Sequence, residues 1–214
     1  MELLLLILGA GLAVSLAGIG GSSDSGTSGE GPPPGSSGTA GPDLWTGTEF
    51  SDVIEGRAGN YTINGGPDDD HLSPGAGDDD VMGNDGRDEH TISRGVDHHF
   101  GGLGEDEFWA TPAWQPTMID LASGYSTPGY VGTLFGIERA YGTHSDDTIW
   151  GNSLDNIIFG EGGNDTIYGR GGDARLYGDS GDDYLHGGLG NNDLYGSVGF
   201  DTCLFFTTAT DCEA

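Results

Sequence analysis

From Gly47 onward the sequence repeats with a period of nine and holds that register through two long stretches. Units begin at Gly47, Gly56, Gly65, Pro74, Gly83, Ile92 and Gly101, and again at Gly142, Gly151, Gly160, Gly169, Gly178, Gly187 and Gly196. The fourth position is mostly Gly, from Gly59 and Gly77 to Gly190 and Gly199. The sixth is Asp at Asp52, Asp70, Asp79, Asp88, Asp97, Asp106, Asp147, Asp165, Asp183 and Asp201. The eighth is apolar everywhere except His90 and His99, for example Ile54, Val81, Ile149, Ile167 and Leu185. A unit this short cannot bury its own apolar residue, so neighbouring units must stack and share one continuous core.

Composition removes other options. Gly makes up 43 of 214 residues, and each Gly inside a helix costs about 1 kcal/mol, which excludes a helical protein. Six Lys and Arg face 35 Asp and Glu, for a formal net charge of −29. Nucleic-acid affinity comes mainly from phosphate neutralisation by Lys and Arg, so nucleic acid is excluded as a partner and cations are favoured. A disordered solvating chain is the simplest reading of such acidity. Four columns agreeing in fixed register argue against it.

The segments Gly162-Gly163-Asn164-Asp165-Thr166-Ile167-Tyr168-Gly169 and Gly181-Asp182-Asp183-Tyr184-Leu185-His186-Gly187-Gly188 resemble the G-G-x-G-x-D-x-U-x repeat of the RTX (hemolysin-type) calcium-binding family. The resemblance spans two arrays, 47–109 and 142–204. The intervening segment 110–141, with Ile119-Asp120-Leu121 and Gly136-Ile137-Glu138, is similar to the insert between arrays in that family.

The resemblance implies an all-β fold, a right-handed parallel β-roll (β-solenoid) of two arrays joined by an insert. The first six positions of a unit form a turn, for which Gly supplies positive φ. The last three form a short strand with the eighth residue inward. Two units complete a coil, so residue n stacks on n+18 about 4.8 Å away. The family holds calcium between stacked turns, through the sixth-position Asp and backbone carbonyls. That assigns the ten Asp named above to several Ca2+ ions, consistent with a hard cation that takes six to eight oxygen ligands. Alternate units fall on opposite sides, which places Asp52, Asp70, Asp88 and Asp106 on the same side as Asp147, Asp165, Asp183 and Asp201. Tyr61, Asp79, Asp97, Asn156, Ala174 and Asn192 then occupy the other. Counting stacked Asp pairs gives about seven strong sites, six of them on one side. Carboxylates repeated at this spacing oppose folding without metal, so the chain is expected to fold on binding calcium.

Other signals have ordinary readings. His90 and His99 stand where apolar residues belong; a local irregularity, with Ile92 and Phe100 shifting to fill the core, is favoured over a transition-metal site. Outward aromatics recur at the ninth position, Phe159, Tyr177 and Tyr195 in one row and Trp150, Tyr168 and His186 in another. They read as a strand-stabilising ladder rather than a sugar-binding stripe. Paired acids such as Asp69 and Asp70, or Asp182 and Asp183, read as ligands beside solvated neighbours, not as acid–base dyads. No H-E-x-x-H is present.

The ends complete the organisation. Residues 1–20 are apolar, a secretory signal or a membrane anchor through 3–19; no Lys or Arg precedes the apolar run, as a secretory n-region would require. Residues 21–46 read as a flexible Gly/Ser/Pro linker. Cys203, at an eighth position, is expected to pair with Cys212 and close the roll with a cap over 205–214. Only ten residues follow the last repeat, which leaves little room for a C-terminal export signal. The expected function is a non-enzymatic, exported calcium-binding module, extracellular or at a bacterial cell surface, with a structural or adhesive role; calcium is its expected partner, and the residues name no carbohydrate or protein partner. The alternatives are a polysaccharide-active enzyme built on the solenoid around Asp120, Glu138 and Arg139, and a small secreted toxin.

Overall fold

The computed structural model describes residues 43–110 and 115–213. The apolar segment and nearly all of the expected linker lie outside them. Among the described residues every regular element is a β-strand, and the strands form two sheets, one of eleven and one of nine. Successive units alternate between the sheets. Within each array the strands are parallel and in the expected register: Val53 pairs with His71, His71 with Glu89, Thr148 with Thr166 and Thr166 with Tyr184.

Eighth positions point inward. Ile63, Leu72, Val81, Phe108, Ile149, Ile158, Ile167, Leu176, Leu185 and Leu194 are fully buried. The seventh and ninth residues of most units face outward, giving the half-buried, buried, half-buried pattern of Thr166–Tyr168. A fully buried aliphatic side chain contributes roughly 1.5–3 kcal/mol, and here each one packs against its equivalents in the coils before and after.

The register begins earlier than the composition suggests. Asp43–Thr46, inside the expected linker, is a strand paired with Tyr61–Pro67. Trp45 stands at an eighth position, and its ring lies 4.3 Å from that of Tyr61. At the other end, Thr208–Thr210 pairs with Asp193–Val198 and adds one more strand. Cys203 and Cys212 form the expected disulfide, with Cα atoms 5.8 Å apart. Cys212 packs against the same core that Cys203 enters.

The insert continues the solenoid. In the longer sheet, Met118–Asp120, Gly124–Thr127 and Tyr130–Phe135 form an antiparallel meander that pairs with Gly95–Leu103 on one flank and Thr148–Trp150 on the other. In the shorter sheet, Arg139–Tyr141 alone bridges Glu107–Trp109 and Ile157–Phe159. The insert thus spends three strands on one sheet and one on the other.

That asymmetry overturns the expected sidedness of the carboxylates. Asp52, Asp70, Asp88 and Asp106 precede strands of the nine-stranded sheet, whereas Asp147, Asp165, Asp183 and Asp201 precede strands of the eleven-stranded sheet. Counting eighteens across 110–141 fails because an antiparallel meander has no eighteen-residue repeat. The two Asp-rich rows therefore lie on opposite edges of the roll.

Candidate calcium-binding turns

Each turn holds its sixth residue inside the stack. Ten Asp were expected there, and all ten are buried. One oxygen of each serves the backbone. Asp70 Oδ1 accepts from Asp52 N–H at 2.8 Å, Asp88 from Asp70 at 2.9 Å and Asp106 from Asp88 at 2.9 Å. Asp165, Asp183 and Asp201 repeat the contact at 2.7, 2.8 and 2.9 Å. Asp79 and Asp97 make it in a third, shorter row, and Asp147 accepts from Thr117. The exposed neighbours form a second, outer ladder: Asp69 Oδ1 accepts from Arg87 N–H at 2.8 Å and Asp182 Oδ1 from Phe200 N–H at 2.9 Å, one coil on.

The second oxygen divides the turns into two kinds. Asp70, Asp79, Asp88, Asp106, Asp165, Asp183 and Asp201 each have a buried Oδ2 with no hydrogen-bond partner. A buried carboxylate oxygen left unpaired is costly. In the remaining turns a second-position residue takes that oxygen. Thr143 donates to Asp147 Oδ2 through N–H at 2.6 Å and through its hydroxyl at 3.0 Å. Thr48 N–H donates to Asp52 Oδ2, and Ser93 Oγ to Asp97 Oδ2 at 2.7 Å, joined there by the Tyr125 hydroxyl at 3.1 Å.

The backbone explains the division. In all seven open turns the second position has positive φ: Gly66, Gly75, Asn84, Gly102, Glu161, Asp179 and Ser197. Thr48, Ser93 and Thr143 do not. Reversing φ at this residue goes with turning over the preceding peptide, which aims its N–H away from the Asp. Four of the seven are not Gly, and a non-Gly residue held at positive φ costs on the order of 1–3 kcal/mol and persists only where the surrounding structure imposes it.

Backbone carbonyls converge on the unpaired oxygens. A Cβ placed on Gly83 would collide with Asp88 Oδ2 and come within 2.7 Å of the Gly101 carbonyl oxygen one coil on. One placed on Gly160 would meet Asp165 Oδ2 and the Gly178 carbonyl at 2.8 Å. This accounts for the first-position Gly column: a side chain there would occupy the space between carboxylate and carbonyl. Among the described residues no three His, Cys, Asp or Glu side chains come together. A cation in this space would be held by carboxylate and carbonyl oxygens in combination, the hard donor set that suits calcium.

Electrostatics favour the same conclusion. Burial, the largest cause, raises the pKa of Asp70 and Asp183 to about 6, of Asp79 and Asp106 to about 7 and of Asp165 to about 8. Carboxylates stacked in the same rows add to it: Asp88 and Asp52 raise Asp70, and Asp147 and Asp183 raise Asp165. The rows resist holding their charge until a cation offsets it.

The remaining sequence signals resolve as follows. His90 and His99 stay at eighth positions with no slip of register; Phe100 remains outside, stacked on Phe135 at 5.3 Å. Both histidines are fully buried, with Nδ1 atoms 3.3 Å apart and both Nε2 atoms unpartnered. The pair lies between two apolar clusters, one from Ile54 to Val81 and one from Ile92 onward. Burial lowers the His90 pKa to about 3 and the His99 pKa well below its ordinary value. A histidine depressed in the fold contributes stability above its unfolded pKa, and that stability is lost as pH falls below about 6.5, at roughly 1.4 kcal/mol per pH unit each. The His90→Leu/His99→Leu variant is expected to melt higher than the parent at pH 7 in calcium, and the difference is expected to widen by pH 5. Calorimetry at both values measures it; a constant difference would count against buried neutral imidazoles.

The expected aromatic row is longer than predicted. Trp109, Tyr141, Phe159, Tyr177 and Tyr195 stack at 3.7, 4.7, 4.6 and 4.7 Å, with planes within 8° of parallel. The rings cover one another's faces, which supports the ladder reading. Asp120 lies on the eleven-stranded sheet and is paired with Arg170 at 2.7 Å. Glu138 and Arg139 lie in the other sheet's region, beside a cleft of about 780 Å3, with Arg139 ion-paired to Glu105. Asp120, which the alternative enzyme reading grouped with Glu138 and Arg139, therefore lies on the other sheet and does not line their cleft.

A parallel solenoid with rows of buried, partly unsatisfied carboxylates at its turns is a metal-binding β-roll. The family model of the RTX calcium-binding nonapeptide repeat (4 copies) matches residues 37–72, 46–81, 62–89, 141–176 and 168–203, and the chain belongs to that family. No curated protein matches it closely.

Proposed function

We propose that this is an exported β-roll that folds on loading its turns with calcium and serves as a structural or adhesive module at a bacterial cell surface, not as an enzyme. The observation that carries the reading is the set of seven buried carboxylate oxygens without partners, each in a turn whose second residue has positive φ. Asp70, Asp79, Asp88, Asp106, Asp165, Asp183 and Asp201 are the carboxylate ligands in this reading. Asp52, Asp97 and Asp147, also expected as ligands, are closed by Thr48, Ser93 and Thr143 and act as structural turns. Calcium supplies the positive charge that the interior lacks, and folding and binding are one event.

The Asp rows stack carboxylate on carboxylate, so an unloaded roll would bring like charges together along them. Removing calcium with excess chelator at pH 7.5 is expected to abolish most of the far-UV strand signal, and restoring calcium is expected to recover it. Strand signal that persists through chelation would overturn coupled folding. Export and surface location rest on the family resemblance and on the apolar segment 3–19, as signal or anchor. Mass spectrometry of the native N-terminus tests them: a chain beginning at Gly18 means cleavage and release, and one beginning at Met1 means an anchor.

A further inference from the structure

Each Asp-rich row ends on a glutamate from outside the nine-residue pattern. Glu138 Oε2 accepts from Asp106 N–H at 3.0 Å, and Glu213 Oε2 accepts from Asp201 N–H at 2.5 Å. This is the contact that each Asp in the rows makes with the Asp one coil before it. The return bonds are also present: Glu138 N–H donates to Asp106 O at 3.1 Å and Glu213 N–H to Asp201 O at 2.7 Å. Glu138 lies in the insert and Glu213 in the cap, both outside the sixth-position column.

The carbonyl half of the site is reproduced too. A Cβ on Gly101 would collide with Asp106 Oδ2 and the Gly136 carbonyl, and one on Gly196 with Asp201 Oδ2 and the Asp211 carbonyl. Gly83 meets Asp88 Oδ2 and the Gly101 carbonyl in the same way. Asp106 and Asp201 are both fully buried, and Oδ2 of each is unpartnered. These two rungs therefore contain the unsatisfied oxygen, the carbonyl and the next acid that define the interior rungs.

The choice of Glu follows from chain length. In an ordinary unit the carbonyl-bearing first residue and the acid are five positions apart, as Gly178 and Asp183 are. In both terminal turns they are two apart: Gly136-Ile137-Glu138 and Asp211-Cys212-Glu213. The shorter turn carries the backbone less far along the edge, and one extra methylene extends the carboxylate. The middle residue anchors each turn, Ile137 by full burial and Cys212 by its disulfide to Cys203.

We infer that Glu138 and Glu213 are calcium ligands, completing terminal sites with Asp106 and Asp201; the inference rests on the calcium reading of the rows. Bound calcium then ties the insert to the first array and the disulfide-closed end to the second. The test is calcium bound per chain, by equilibrium dialysis with calcium alone, in the full-length protein and in its Glu138→Gln, Glu213→Gln and double variants. Glutamine keeps an oxygen for the amide and drops the charge. Each single variant is expected to lose about one ion from the parent's total, and the double variant about two, with loaded far-UV spectra unchanged. A parent that binds calcium while all three variants bind as much would overturn the inference. A parent that binds none would overturn the calcium reading instead. Glu213→Ala, which removes the carboxylate outright from an exposed side chain, repeats the measurement, and the same loss of one ion is expected there.

Discussion

Asp165→Asn is expected to weaken calcium binding by at least about tenfold and to reduce its cooperativity, whereas Asp147→Asn is expected to leave both nearly unchanged. The two residues are one coil apart in the same row, and sequence alone makes them equivalent. Their second oxygens differ. Asp165 Oδ2 is buried and unpartnered, beside Glu161 at φ 76°. Asp147 Oδ2 is already held by Thr143 N–H and hydroxyl. The first substitution removes a charged ligand from an interior rung, and calcium affinity falls as ligand charge falls. The second removes no metal ligand; it changes only the hydrogen bonds that Thr143 gives the carboxylate, worth about 1.5–3 kcal/mol each to a charged acceptor, which Asn still accepts in part. Calcium titration followed by circular dichroism separates them. Equal losses would mean that the Thr143 closure opens on loading and that the two kinds of turn are one.

Without calcium, the protein is expected to gain β-structure as the pH is lowered from 8 to about 5. Asp70 and Asp183 titrate at about 6 in the fold, Asp79 and Asp106 at about 7 and Asp165 at about 8. All lie above the unfolded value of 3.8. A carboxylate raised in this way contributes stability below its unfolded pKa, and that contribution is lost as pH rises through the folded pKa. Acid is therefore expected to do for the unloaded rows what calcium does in the proposed function: it removes the charge. The buried histidines act in the opposite direction, since the unfolded chain takes up their protons below about 6.5. Near pH 5 the fold holds five protons on these carboxylates that the unfolded chain lacks, and the unfolded chain holds two on His90 and His99. The net difference of three favours folding as pH falls. Below about pH 4 the unfolded carboxylates also protonate, and the gain ends. Far-UV circular dichroism in excess chelator from pH 8 to 4 checks this. A signal flat across that range would mean that charge in the rows is not what keeps the unloaded chain unfolded.

Much of this protein was legible in one dimension. The nine-residue period fixed which residues face inward, and Ile63, Ile149, Ile167 and Leu185 are all fully buried as the eighth column requires. The same period placed ten Asp at buried turn positions and put Cys203 where it bonds Cys212. These properties are local or depend on a constant eighteen-residue offset, and a constant offset can be counted along the chain. The structure alone decided which edge carries which row, because the meander of 118–135 adds three strands to one sheet while Arg139–Tyr141 adds one to the other. It also decided which Asp are left with an unsatisfied oxygen. That depends on the peptide orientation at the second position, where Ser93 closes its turn and Ser197, also a serine, holds positive φ and leaves Asp201 open. Glu138 and Glu213 were invisible for a related reason. Their turns have three residues instead of six, so no fixed spacing points to them, and only the folded stack brings each beneath the last Asp of its row.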